Sequence, residues 1–195
     1  MNKISKPKFY IFTGIEKTLI SKRWIDKYTG GKEIYGEVIP DPACMHALNC
    51  LIEGLEEKFD VRLVVTSKRR EYPLDCESFL REHGKLKYDK PLYFTKFIDG
   101  PRGEKILNFL SQRGAYPLTY HTAPFYVRFL KNLKDNPDFK NYVVIQNGHR
   151  EMSKFIPKSQ IKRVSFEKGL TQEISDEILH QNGCSPTIES VIIKK

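Results

Sequence analysis

The chain has no unbroken apolar run long enough to cross a bilayer, which argues against a membrane-spanning helix and a membrane partner. Its amino terminus, Met1-Asn2-Lys3-Ile4-Ser5-Lys6-Pro7-Lys8, carries charge but not the apolar segment a secretory signal needs, so a cytoplasmic location is expected. Cysteine is sparse. Cys44, Cys50, Cys76 and Cys184 form no C-x-x-C pair and no Cys/His cluster at zinc spacing, which excludes a metal knuckle or disulfide framework and favours free thiols. Acidic residues are also in short supply: 24 Asp and Glu against 33 Lys and Arg leave a formal charge of +9. That balance suits a polyanionic partner such as nucleic acid, a phosphorylated ligand or an anionic surface, and equally suits a basic, solvated exterior. Repeats and low-complexity segments are lacking.

What is present reads as alternating strands and helices. The 195 residues suit a single domain spanning 1–195. Tyr10-Ile11-Phe12 is a short aromatic and β-branched run that ends at Thr13-Gly14, as a buried parallel strand feeding a turn does. The polar 20–38 segment, with Gly30-Gly31 and three scattered aromatics, reads as a long loop or a flap. Asp41-Pro42 is an N-cap with proline at the first helical position, and Leu48, Leu51, Ile52 and Leu55 give that helix an apolar face. A strand over 60–67, a helix over 73–83, a partial strand in 85–94 and a helix from Arg102 follow. The 114–140 stretch mixes aromatics with Lys and Arg and reads as helical over 124–133, either core-facing or able to stack bases. A strand over 142–147, a short helix over 151–155, a strand over 161–166, a helix capped by Thr171 and an edge strand at Val191-Ile192-Ile193 complete the pattern. Strand, helix, strand order implies right-handed parallel crossovers and an α/β sheet.

The residues at the strand ends carry a family likeness. Lys8 to Leu19, an apolar strand followed by Thr13-Gly14-Ile15-Glu16-Lys17-Thr18-Leu19, resembles the first motif of the haloacid dehalogenase (HAD) superfamily, written Asp-x-Asp-Gly-Thr-Leu. Aligned on Thr18-Leu19, Gly14 stands at the nucleophilic, magnesium-binding Asp, Glu16 at the general acid and Lys17 at the glycine. Val64-Val65-Thr66-Ser67-Lys68-Arg69-Arg70 is similar to the second motif, and closer to the Ser-Ser-x-Trp-Arg form of a small branch linked with RNA repair. There Thr66 or Ser67 takes the phosphate-binding hydroxyl and Arg70 the arginine. Arg102-Gly103, with Lys105 as second candidate, occupies the place of the third-motif lysine. Gln146-Asn147 stands where the fourth motif carries acids for magnesium. Gly169-Leu170-Thr171 matches a later segment of the same branch, so the likeness extends over roughly residues 8–182.

The resemblance implies a three-layer, Rossmannoid HAD-like domain with a mainly parallel central sheet, a helical insertion and a degenerate site. Covalent carboxylate catalysis needs a carboxylate at the strand tip, and Gly14 has no side chain. Magnesium takes hard oxygen ligands, usually including a carboxylate, and the aligned ligand positions are Gly14, Gln146 and Asn147. With Thr66, Ser67, Lys68, Arg70, Arg102 and Lys105 retained, the expectation is a metal-free pseudophosphatase without a cofactor that binds an anionic ligand, phosphorylated or nucleic acid, or else a protein partner. The alternative is a divergent magnesium-dependent phosphatase acting on a nucleic-acid end or small phosphoester, with Glu16 and Glu151 as its remaining acids. His149 lacks a paired acid or nucleophile in sequence and reads as a surface residue.

Overall fold

A computed structural model of the chain describes residues 5–30, 38–95, 101–110, 141–148 and 152–186, with Arg70 described by its backbone only. The 114–140 insertion, His149, Glu151, the 191–193 strand and part of the 20–38 segment lie outside the described residues. Strands β1 (Lys8–Thr13), β2 (Asp60–Val65), β3 (Tyr93–Phe94), β4 (Tyr142–Gln146) and β5 (Ile161–Arg163) form one five-stranded sheet in the order β3-β2-β1-β4-β5. Every pairing is parallel.

The strand sequences explain this arrangement. All-parallel sheets bury both faces, so their strands are apolar throughout instead of alternating. From Phe9 to Thr13 β1 is buried at every position, as is all of β4. Successive residues fall alternately into two separate apolar clusters. Phe9, Ile11, Leu63, Val65, Val143 and Ile145 join one, with helices α2 (Pro42–Glu56) and α5 (Gln172–Gln181). Tyr10, Phe12, Val64, Tyr142 and Val144 join the other, with helix α4 (Arg102–Leu110).

Helix α2 starts as its sequence dictates: the Asp41 carboxylate accepts from the Ala43 amide at 2.9 Å, and Pro42 needs no donor in the first turn. Its apolar stripe lies against α5, and Gly54 permits the approach, because a Cβ there would sit 2.6 Å from Leu179 Cδ2. Thr171 occupies the N-cap position of α5 with extended backbone, but its side chain makes no capping hydrogen bond, which corrects the expected role.

The 20–38 segment is not simply a long loop. It holds helix α1 (Lys22–Thr29), N-capped by Ser21 Oγ, which accepts from the Trp24 amide at 3.2 Å, and ended by Gly30 at φ +63°. Ser21 also donates to Asp41, so one buried carboxylate ties the starts of α1 and α2 together. After β2, a 3-10 turn at Lys68–Glu71 leads into α3 (Pro73–Ser78), which widens into a π-helical turn over Phe79–His83. Of the expected 151–155 helix, a 3-10 turn at Met152–Lys154 is present.

Candidate functional site

Strand order places the motif residues. From β1 the chain crosses to β2 and β3 on one side, while β4 pairs with β1 on the other and leads to β5. The carboxyl ends of β1 and β4 therefore flank a topological switch point, where open parallel sheets leave a crevice for ligands. Gly14 follows β1, Thr66 and Ser67 follow β2, and Gln146 and Asn147 stand at the end of β4.

The loop after β1 is built by its own backbone. Ile15 O accepts amides from Thr18 at 3.3 Å, Leu19 at 2.8 Å and Ile20 at 3.2 Å, closing a single tight turn. Lys17 sits in that turn at φ +62°, a left-handed conformation that favours glycine. Its ammonium lies 5.3 Å from the centre of the Phe166 ring. Gly14 is buried, and a Cβ there would stand 3.3 Å from Thr18 Oγ1.

Gln146 is the connector of the site. It is 1% exposed, yet both ends of its amide are bonded. Nε2 donates to Thr66 Oγ1 at 2.7 Å, and Oε1 accepts from Arg102 Nη1 at 2.6 Å. Thr66 Oγ1 in turn donates to Thr13 O at 3.1 Å. One hydrogen-bonded chain thus runs from the end of β1 through β2 and β4 to the first turn of α4. Burying an amide is tolerable only when its groups are paired, as here.

A second group stands on the other side of the β2 end. Glu16 accepts from Ser67 Oγ and from Arg69 Nε, the latter at 3.2 Å. Ser67 also accepts from the Arg69 amide at 3.3 Å, so it caps the 3-10 turn that aims Arg69 back at Glu16. The Arg69 guanidinium lies 4.1 Å from the centre of the Phe79 ring. Beside it opens a cavity of about 170 Å³ lined by Arg69, Tyr72, Asp75 and Cys76. Burial pushes the Cys76 thiol up to about 12 despite the nearby Arg69 cation, so the sulfur there is neutral.

Thr66, Ser67, Glu16, Gln146 and Arg102 are thus brought into two bonded groups that meet across the Thr66-Ser67 peptide. Asn147 is not aimed into the Thr66–Gln146 chain: its Nδ2 donates to Val164 O at 3.2 Å, beside β5. Lys68 is exposed on the 3-10 turn, and Lys105 is half-buried in the first turn of α4. The Arg70 side chain lies outside the described residues. Nothing in the basic triplet Lys68-Arg69-Arg70 singles out Arg69, because the pitch of the 3-10 turn decides which side chain points back to Glu16.

The donor set does not fit magnesium. The aligned ligand positions offer a glycine and two amides, and Glu16, the carboxylate at the aligned general-acid position, accepts from a hydroxyl and a guanidinium. Among the described residues no three His, Cys, Asp or Glu side chains gather as a metal site, and no helix is long and apolar enough to cross a membrane. The chain matches no protein-family model, no curated protein and no solved structure.

Proposed function

We propose that this chain is a three-layer, HAD-like pseudophosphatase whose crevice binds an anionic ligand, a phosphorylated small molecule or nucleic-acid end, without metal and without turnover. The observation that carries the reading is Gln146: a neutral amide stands where an acid would hold magnesium, and it bonds the Thr66 hydroxyl and the Arg102 guanidinium. Lys17 supports the resemblance, because it takes a left-handed conformation at the position where the family has glycine. Gly14 leaves the β1 end without a nucleophile. Arg102, Lys68 and Arg69 supply positive charge near the ends of the strands against Glu16, and the overall charge of +9 draws anions to the molecule.

Calorimetric titration with inorganic phosphate and ribose 5-phosphate tests the reading. Arg102→Ala should weaken binding by roughly 10- to 150-fold, the range for one hydrogen bond to a charged group. Affinity should fall as salt rises. Glu16→Gln should tighten binding, since it removes the carboxylate that engages Arg69. Magnesium-dependent release of phosphate from an aryl phosphate, abolished by that same substitution, would overturn the pseudophosphatase reading in favour of the divergent enzyme.

A further inference from the structure

The cavity beside the crevice is lined by more than the cation a phosphate needs, and its composition points to a further ligand group. At about 170 Å³ it is smaller than the roughly 300–1,000 Å³ of pockets that take whole drug-sized ligands, which suits one flat ring system attached to a group held outside. Its walls combine an exposed aromatic ring, Tyr72, with a guanidinium, a carboxylate and a thiol. Tyrosine rings and arginine planes are the surfaces on which unpaired bases stack. Arg69 is held in place from two sides, by Glu16 and by the Phe79 ring, so its plane is pre-organised. The Asp75 side chain offers acceptor oxygens, which suit a ring edge that donates, as the amino edges of guanine, cytosine and adenine do. The buried Cys76 adds a neutral, polarisable surface.

We propose that this cavity is a nucleobase subsite, selective for a base with an exocyclic amine, and that the ligand of the crevice is therefore a nucleotide or a nucleic-acid end. This rests on the anion-binding reading for its phosphate, and Arg69 is the residue common to both parts: it bonds Glu16 on the crevice side and lines the cavity on the other.

Calorimetry on the full chain with inorganic phosphate, ribose 5-phosphate, guanosine, GMP and UMP separates the two. GMP should bind at least about fivefold tighter than ribose 5-phosphate, the lower limit of what one stacked base contributes. Tyr72→Ala should erase that increment and leave ribose 5-phosphate unchanged. Asp75→Ala, which removes the acceptor, should erase the preference for GMP over UMP. Tyr72 and Asp75 are both exposed, so neither substitution threatens the fold, and circular dichroism checks this. Equal affinity for GMP and ribose 5-phosphate would overturn the base subsite and leave the anion site standing. Guanosine binding that depends on Tyr72, with no binding of either phosphate, would support the subsite and overturn the anion site. No binding of any probe would overturn both.

Discussion

Replacing Gln146 by leucine tests whether the site is held together by the amide that bridges it. The side chains are similar in volume, so the change removes hydrogen bonds without opening a large cavity. Two bonds are lost: one from Nε2 to Thr66 Oγ1 and one from Arg102 Nη1 to Oε1. A neutral bond is worth about 0.5–1.5 kcal/mol net, and one to a charged group about 1.5–3 kcal/mol. Both figures need discounting. Arg102 is an exposed residue, so its guanidinium recovers water when the acceptor goes, and Thr66 keeps its own bond to Thr13 O. The buried leucine also gains apolar transfer energy. The expected net loss is about 1–2.5 kcal/mol, or roughly 2–10 °C in Tm for a chain of this size. Urea unfolding followed by circular dichroism reads it, with an unchanged m-value as the sign that the fold is kept. A cycle with Arg102→Ala should give a coupling energy of roughly 0.5–1.5 kcal/mol, below the ceiling for a charged bond because water competes. A leucine variant as stable as the parent, with no coupling to Arg102, would refute the bridge.

Gly169 stands at φ +64°, and a Cβ there would lie 2.6 Å from Cys44 Sγ and 2.7 Å from Thr18 O, so Gly169→Ala should cost roughly 2–5 kcal/mol in thermal or urea unfolding. Asp60 loses some solvation by burial, but Arg62 and Lys90 outweigh that and hold its carboxyl below the usual carboxylate range. A depressed folded pKa stabilises above the unfolded value of about 3.9 and is lost as pH falls through the folded one, so Asp60→Asn should flatten the acid limb of a stability profile taken from pH 6 to pH 2. Burial pushes the Cys44 and Cys76 thiols up to about 12, with Asp41 adding to the rise at Cys44, so both should resist alkylation at pH 8 in native protein and react once urea unfolds it, as peptide mapping would read.

The parts of the fold visible in the sequence are those whose burial is uniform. Tyr10-Ile11-Phe12, Leu63-Val64-Val65 and Val143-Val144-Ile145 are continuous apolar runs because the sheet covers them on both faces, and Asp41-Pro42 marks the start of α2 by local chemistry alone. Helix α1 was hidden for the opposite reason. Eight residues make a marginal helix in water, and this one is held by distant groups: Phe166 O accepts from the Lys22 amide at 2.8 Å, and Ile39 O from Trp24 Nε1 at 3.0 Å. The π-helical turn after α3 has no periodic signature either. In the site, sequence order was enough to gather Gly14, Thr66 and Gln146, since each lies at the carboxyl end of a strand. It was not enough to aim side chains, so Asn147, bonded to Val164, and Arg69, returned by a 3-10 turn, both depended on backbone geometry.

That backbone geometry also bears on how the strand ends keep their shape with Gly14, Gln146 and Asn147 at the positions where the resemblance would put carboxylates. The turn after β1 is closed by three amides on Ile15 O, and Thr18 O accepts from the Leu170 amide at 2.8 Å while Leu19 O accepts from the Asp41 amide at 2.8 Å. None of these bonds involves Gly14, Glu16, Gln146 or Asn147. Lys17 bears a left-handed conformation within them, a strain on the order of 1–2 kcal/mol that the surrounding bonds outweigh. The shape of the turn after β1 is thus set by main-chain bonds, while side chains that those bonds do not need set the charge beside it. Side-chain charge can change there without breaking these main-chain bonds, whereas substitutions at Gly169, whose missing Cβ lets Thr18 approach, strike the turn itself.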